Sequence, residues 1–190
     1  MSSHHIIKED QEPALLILEL EKIDLESLGQ LLEWSPTVMV SDRDYEALES
    51  QGIKVDILFL HGSVYDIDIQ EHTRLYPIED SFLREALDYL VDQGQRAVNV
   101  IAGAIDQALL LSYANRLDIV VLDDSRRAVI VGSPYEKWKP KGERIRVYTD
   151  MTLKTVGLTS VATNLFETAE EGFFKIEFEA SPYLWVEEAR

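Results

Sequence analysis

The stretch TVMVSDRDYEALESQGIKVDILFL, residues 37–60, contains the pattern on which the fold prediction depends. Two short apolar runs, residues 37–40 and 56–60, have the length and composition of buried strands. Between them, a segment that begins at Asp42 with acidic side chains and stops at Gly52 has the features of a short helix. A strand, a helix and a second strand in this order predict two parallel strands joined by a helical crossover.

The same alternation extends to both sides of this stretch. Three further apolar runs have the character of buried strands: residues 14–20, 97–101 and 117–122. Three further segments are predicted helices: residues 24–34, 80–94 and 107–114. Because strands that alternate with helices pair in parallel, we predict a parallel sheet with helices on both faces.

The remainder of the chain, from Arg126 onward, has a different pattern, in which no helix is predicted. Five short strand candidates are joined by turns: residues 128–131, 144–148, 153–156, 173–178 and 183–186. We therefore predict an α/β domain over residues 1–124 and a small antiparallel β domain over residues 125–190.

Composition excludes several classes of function. The 190 residues contain 35 Asp and Glu against 18 Lys and Arg, a formal net charge of −17, and no cysteine. Without cysteine there are no disulfides, thiolate zinc sites or cysteine nucleophile. The acidic excess argues against nucleic acid as a partner, because that binding depends on neutralising phosphates. No apolar run approaches a membrane span, and the polar start MSSHHIIKED is unlike a secretory signal, so we expect no membrane partner and a cytoplasmic location.

Residues that follow the predicted parallel strands are the first candidates for a site, because open α/β sheets bind ligands beyond the carboxyl ends of their strands. Asp42 is either a magnesium ligand or the N-cap of the following helix, and Asp106 has the same two interpretations. His61 either contacts a ligand or is a loop histidine with a backbone partner. Neither G-x-G-x-x-G nor G-K-[ST] occurs, so no glycine-rich phosphate loop is predicted.

Positive charge is concentrated in residues 126–146. Seven of the 18 basic residues fall there: Arg126, Arg127, Lys137, Lys139, Lys141, Arg144 and Arg146. Two interpretations are open. The segment either forms a positive surface that receives a phosphate group or an acidic patch of another subunit, or it is an edge strand protected by its lysines.

Several motifs resemble those of the thiamine pyrophosphokinase family. Residues 38–56, VMVSDRDYEALESQGIKVD, are similar to the family's A-D-G-G, short helix and G-I-x-P-D, with Asp42 and Asp56 at its two aspartates. The order of elements also agrees along nearly the whole chain. Four shorter matches follow: Glu79 in IEDSF (78–82), ALDYL (86–90), Asp106-Gln107 in AGAIDQ (102–107), and TVGL (155–158).

The resemblance implies an α/β domain followed by a β-sandwich, paired as a homodimer. The implied reaction is magnesium-dependent transfer of pyrophosphate from ATP to thiamine, which gives thiamine diphosphate and AMP. The implied roles are Asp42, Glu79 and Asp106 in catalysis, Asp42 and Glu79 as metal ligands, Asp56 in support of the loop, and Gln107, Asn164 and Trp185 in substrate binding. His61 joins the substrate-binding set by its position after a strand.

The sequence also departs from the family at charged positions. LHGSV (60–64) stands where the family has G-D-x-D-S, Phe82 replaces an aspartate, and the arginine before Asp106 is absent. Each lost contact of this kind contributes roughly 2–4 kcal/mol to the transition state, so the losses together lower the rate by several powers of ten. We therefore expect weakened or lost catalysis. The alternative is a non-catalytic protein on the same fold that binds a small molecule, thiamine or another, or acts as a dimeric interaction protein.

Overall fold

The computed structural model describes residues 12–62 and 68–189. Its strands are β1 Ala14–Ile17, β2 Val38–Ser41, β3 Ile57–Leu60, β4 Arg74–Pro77, β5 Ala97–Ile101, β6 Asp118–Leu122, β7 Arg126–Gly132, β8 Tyr135–Lys139, β9 Arg144–Tyr148, β10 Lys154–Val156, β11 Leu158–Ala162, β12 Leu165–Thr168, β13 Gly172–Glu177 and β14 Tyr183–Ala189. Its helices are α1 Leu25–Leu32, α2 Asp42–Ser50, α3 Phe82–Asp92 and α4 Gln107–Tyr113, with a short 3-10 helix at Leu20–Lys22.

Eleven of these strands form one mixed sheet in the order β11-β12-β9-β14-β7-β6-β5-β1-β2-β3-β4. From β6 to β4 the neighbours are parallel, as the alternating pattern predicts. β6 pairs antiparallel with β7, with Val120 opposite Val129, and the sheet continues antiparallel to β11. The sheet therefore runs on across residues 124 and 125, and the division into two domains there stays a prediction.

Three apolar clusters hold this arrangement together. Residues of α1 and α2, such as Leu28 and Leu48, pack on one face of the parallel half. Residues of α3 and α4, such as Leu87 and Leu110, pack on the other face. The third cluster lies between the antiparallel half and a second sheet of order β10-β13-β8, and it includes Phe174. The helices thus cover both faces of the parallel half, as predicted.

Four strands have no counterpart in the sequence prediction: β4, β8, β11 and β12. β4 is an edge strand with the sequence RLYP, in which three of four side chains are exposed and the last is proline. Exposed side chains and proline are typical of sheet edges, and they remove the apolar pattern on which strand prediction depends. The apolar run 14–20 also gives a shorter strand than expected, since β1 ends at Ile17.

Of the helices in the described part of the chain, none has the length and apolarity needed to cross a membrane.

Candidate functional site

Asp42 and His61 contact each other at the carboxyl ends of β2 and β3, which are neighbouring strands. One carboxylate oxygen of Asp42 accepts a hydrogen bond from the backbone N–H of His61 at 3.0 Å, and the other lies 2.7 Å from its Nδ1. Asp42 is the first residue of α2, and Ser41 occupies the N-cap position, so the N-cap interpretation of Asp42 is wrong. Both oxygens of Asp42 are engaged by His61.

The loop after β4 is organised by Glu85, a residue that the sequence analysis missed. One oxygen of Glu85 accepts hydrogen bonds from the backbone N–H groups of Glu79, Asp80 and Ser81 at 2.9, 2.7 and 3.3 Å. These hydrogen bonds, that of Asp80 foremost, lower the pKa of Glu85 below its ordinary value although partial burial raises it. Glu85 lies four residues after the N-cap Ser81, one position beyond a capping box, which is the sequence signal for this role.

The implied metal ligands Asp42 and Glu79 are not brought together. Glu79 is exposed and follows β4, whereas Asp42 follows β2, and β3 lies between these strands. Two strand spacings amount to about 10 Å. Within residues 12–62 and 68–189, no three histidine, aspartate or glutamate side chains are grouped closely enough to hold a metal ion. Among the described residues, a magnesium ion therefore has no site built from three side chains.

Phe82, which replaces an aspartate of the family motif, belongs to an aromatic cluster at the same edge of the sheet. Its ring lies 5.1 Å from that of Phe59, which in turn lies 5.7 Å from that of Tyr76. Phe59 is almost fully buried. The position is therefore used for apolar packing, which leaves no charged group there to bind a metal or a phosphate.

A cavity of about 360 Å³ lies at the carboxyl end of β5, between α4 and strands β7 and β14. We call it the junction pocket, and its polar and aromatic lining residues are Gln107, Arg126, Tyr148, Trp185 and Glu187. Two residues predicted to bind substrate, Gln107 and Trp185, are thus brought together in one pocket.

Glu187 connects the walls of the junction pocket. Its Oε1 accepts hydrogen bonds from Arg126 at 3.1 Å and from the indole N–H of Trp185 at 3.3 Å. Its Oε2 accepts one from the hydroxyl of Tyr148 at 2.8 Å. Burial first, and then this bond to Glu187, raise the pKa of Tyr148, which therefore stays protonated and acts as a donor. Arg126 also donates to the backbone carbonyl of Gly103 and to Asp123.

The other predicted site residues do not line this pocket. Asp106 accepts a hydrogen bond from the backbone N–H of Leu109 at 3.0 Å, so its N-cap interpretation is confirmed. Asn164 lies in the turn between β11 and β12 with φ of 58°, and its amide donates to the carbonyl of Thr149. Asp56 accepts a hydrogen bond from the backbone N–H of Val38 at 3.0 Å. It precedes β3, so it lies roughly 16 Å along that strand from the edge where His61 is found.

Comparison with known proteins gives likenesses at the level of structure. No protein-family model matches the sequence, and no curated protein matches it. The thiamine pyrophosphokinase of Bacillus subtilis superposes with a TM-score of 0.66 at 15% identity, covering 93% of this chain and 97% of that one. That of Geobacillus thermodenitrificans gives a TM-score of 0.67 at 14% identity, covering 93% and 96%. The yeast enzyme gives a TM-score of 0.68 at 7% identity, covering 97% and 88%.

The chain has the thiamine pyrophosphokinase fold. The likeness to the thiamine pyrophosphokinase fold that the motifs indicated is therefore confirmed. At identities of 7–15%, the comparison shows the arrangement of elements alone. Within this thiamine pyrophosphokinase fold, the junction pocket unites two of the motif-derived residues, whereas Asp42 and His61 contact each other at a separate position along the sheet edge.

Proposed function

We propose that this chain is a thiamine pyrophosphokinase-like protein that binds a small molecule in the junction pocket and has weakened or lost magnesium-dependent pyrophosphate transfer. The observation that carries the proposal is the contact between Asp42 and His61. A carboxylate has about four acceptor sites, and His61 takes one on each oxygen of Asp42, so fewer sites remain there for a metal ion. Neither Glu79, which lies two strands away, nor the apolar Phe82 supplies a second metal ligand close to Asp42.

The loss of charge matters because pyrophosphoryl transfer depends mainly on positioning and on neutralisation of phosphate charge. A chain with a net charge of −17 repels ATP unless a metal ion or local cations intervene. Phe82 packs among aromatic rings, so no water molecule takes the place of the missing carboxylate there. We therefore expect the protein to keep small-molecule binding although pyrophosphate transfer is weakened or lost.

The lining of the junction pocket favours a small planar ligand with hydrogen-bonding groups. Its volume of about 360 Å³ suits a small molecule. Trp185 and Tyr148 supply aromatic surface, and Gln107 supplies an amide that both donates and accepts. Arg126 and Glu187 form an ion pair, so the pocket is polar without a large net charge. Thiamine, which has two planar heteroaromatic rings joined by a methylene group and gives the structural relatives their name, is the first ligand to test.

We expect the purified protein, given ATP, thiamine and Mg²⁺, to release no AMP above a blank without protein. The Bacillus subtilis enzyme serves as the positive control in the same assay. Thiamine is expected to raise the Tm of the protein equally with and without Mg²⁺, because the junction pocket contains no metal site. AMP release at the rate of the Bacillus subtilis control, or a Tm shift by ATP that requires Mg²⁺, would contradict the proposal.

We also propose a homodimer formed through the outer face of the small sheet. Phe173 is 71% exposed, and it pairs across the strands with Trp138, which is 48% exposed. Beside them, Lys175 lies between Glu136 and Glu177, at 3.5 and 2.6 Å. An apolar patch next to alternating charges is self-complementary under two-fold rotation, which is what a dimer of identical chains requires.

Phe173→Glu is expected to convert the dimer to a monomer, because it places a charge in the centre of the apolar patch. Light scattering after size-exclusion chromatography measures the mass. Trp34→Glu is the matched control, since Trp34 is 66% exposed but lies at the end of α1, away from the small sheet. The dimer proposal is wrong if the unaltered protein is a monomer at micromolar concentration, or if both variants have the same mass.

A further inference from the structure

Strands β7 and β14 pair antiparallel, and their alternating side chains face two different spaces. Arg126 and Glu187 face the junction pocket. The next residue on each strand, Arg127 and Glu188, faces the opposite side, between the large and the small sheet. The period of two along a strand thus produces a second polar site that is separate from the junction pocket.

A second cavity, of about 430 Å³, lies on that side, and we call it the intersheet cavity. Its polar walls come from Arg127 of β7, Glu188 of β14, and Tyr135, Glu136, Lys137 and Lys139 of β8. Val129 and Val131 supply its apolar wall. The volume falls within the range of small-molecule pockets.

Glu188 holds the basic side chains of the cavity in place. It is 3% exposed, and its carboxylate accepts hydrogen bonds from Lys137 at 2.5 Å, from Lys139 at 2.9 Å and from the hydroxyl of Tyr135 at 3.1 Å. Two ammonium groups are therefore held against one buried carboxylate.

The cations around the cavity are not all paired with carboxylates. Three cations, Arg127, Lys137 and Lys139, face one buried anion, Glu188. At the rim, Glu143 is 4.0 Å from Lys139, and Glu136 is shared with Lys175 on the outer face. Within residues 12–62 and 68–189, no carboxylate lies at ion-pair distance from Arg127. Arg127 is thus the cation of the cavity with which an added anion can pair, in a chain whose net charge is −17.

We propose that the intersheet cavity binds a small organic anion. Its phosphate or carboxylate group is bound by Arg127, whose planar fork matches either group, with help from the two lysines. Its apolar part contacts Val129 and Val131. The site lies on the opposite face of β7 and β14 from the junction pocket, so the two sites accept different ligands, and occupancy of one is independent of the other.

Titration calorimetry with phenyl phosphate tests the proposal. Inorganic phosphate tests the anion-binding residues alone, and phenol tests the apolar wall alone. We expect phenyl phosphate to bind more tightly than either. Arg127→Gln is expected to weaken binding by roughly tenfold or more, because hydrogen bonds to charged groups contribute roughly 1.5–3 kcal/mol. Arg127→Lys keeps the charge and loses the planar fork. Its affinity for phenyl phosphate is expected to lie between that of the unaltered protein and that of Arg127→Gln. Benzoate in place of phenyl phosphate tells which anionic group is preferred.

Arg144→Gln is the matched control, because it removes one charge from an exposed position on β9 that does not line the cavity. It is expected to leave the affinity for phenyl phosphate unchanged, as is Gln107→Ala in the junction pocket. Thermal melts establish that each variant is folded. Absence of phenyl phosphate binding at millimolar concentration, or equal losses in Arg127→Gln and Arg144→Gln, would overturn the proposal.

Discussion

Replacing Trp185 by alanine is expected to lower the free energy of unfolding by about 3–5 kcal/mol. Trp185 is 2% exposed and belongs to the apolar cluster that includes Leu110 and Tyr113 of α4. Removal of the indole leaves a cavity between the sheet and this helix, and the contacts around it cannot close completely. The same change removes the donor to Glu187. Urea unfolding followed by circular dichroism measures the loss.

Two matched variants separate the causes of this effect. Trp185→Phe keeps most of the packing and removes the hydrogen bond to Glu187, which contributes about 1 kcal/mol on its own. Trp34→Ala removes an indole that is 66% exposed, and surface changes of this kind stay within about 0.5 kcal/mol. Thiamine is expected to shift the Tm of the phenylalanine variant but not that of the alanine variant. Similar stabilities for Trp185→Ala and Trp34→Ala would show that Trp185 does not pack as described.

The parallel half of the fold could be predicted because its signals are local. Strands β2 and β3 are fully buried runs of four residues, and α2 between them starts with acids and is followed by Gly52 in a left-handed conformation, φ 71°. Strand β8 illustrates the opposite case. Its sequence YEKWK alternates, but the side chains on its inner face include Lys137 and Lys139. A strand with lysines on its inner face can be predicted only if a buried acid is known to face them. The sequence of β8 alone does not reveal that Glu188 has this position.

The candidate site likewise contains residues that local motifs could predict and residues that they could not. Gln107 and Trp185 were found through motifs, and Arg126 only as a member of the basic segment 126–146. Glu187 was missed, and so was the bond in the pocket wall between Arg126 and Glu187. These two residues are 61 positions apart and meet only through the register of β7 and β14. No short stretch of sequence predicts how β7 and β14 are aligned with each other. Period two along residues 183–186 does place positions 185 and 187 on one face, and this is the signal that could have pointed to Glu187.

The basic segment 126–146 shows how a charge pattern can have an unforeseen structural use. The two interpretations of the sequence were a positive surface and a lysine-protected edge strand. β7 and β9 lie inside the large sheet, and β8 lies at the edge of the small one. Lys137 and Lys139 nevertheless turn inward to a buried carboxylate. The segment therefore contributes an interior ion cluster, which neither interpretation contained.

Replacing Glu188 by alanine is expected to lower the free energy of unfolding by about 3 kcal/mol, as measured by urea unfolding at neutral pH. Removal of one member of a buried ion pair costs about 3–5 kcal/mol, because the remaining charge is left without a partner. The expected value lies at the lower end, because the side chains of Lys137 and Lys139 are 31% and 16% exposed and their ammonium groups can turn towards water. Glu136→Ala is the matched control, because Glu136 is exposed and its pair with Lys175 contributes at most about 1 kcal/mol.

The pH dependence of this loss shows whether Glu188 stabilises the protein through its ion pairs or through packing. Burial acts to raise the pKa of Glu188, but the hydrogen bonds from Lys137 and Lys139 outweigh it, so the folded-state pKa lies below the ordinary value. A depressed carboxyl pKa contributes stability that is fully present above the unfolded value of about 4.3 and is lost as pH falls through the folded value. The difference in unfolding free energy between Glu188→Ala and the unaltered protein should therefore be constant near neutral pH and should shrink below about pH 4. A difference that stays the same down to that range would mean that Glu188 stabilises the protein by packing, because loss of packing does not depend on protonation.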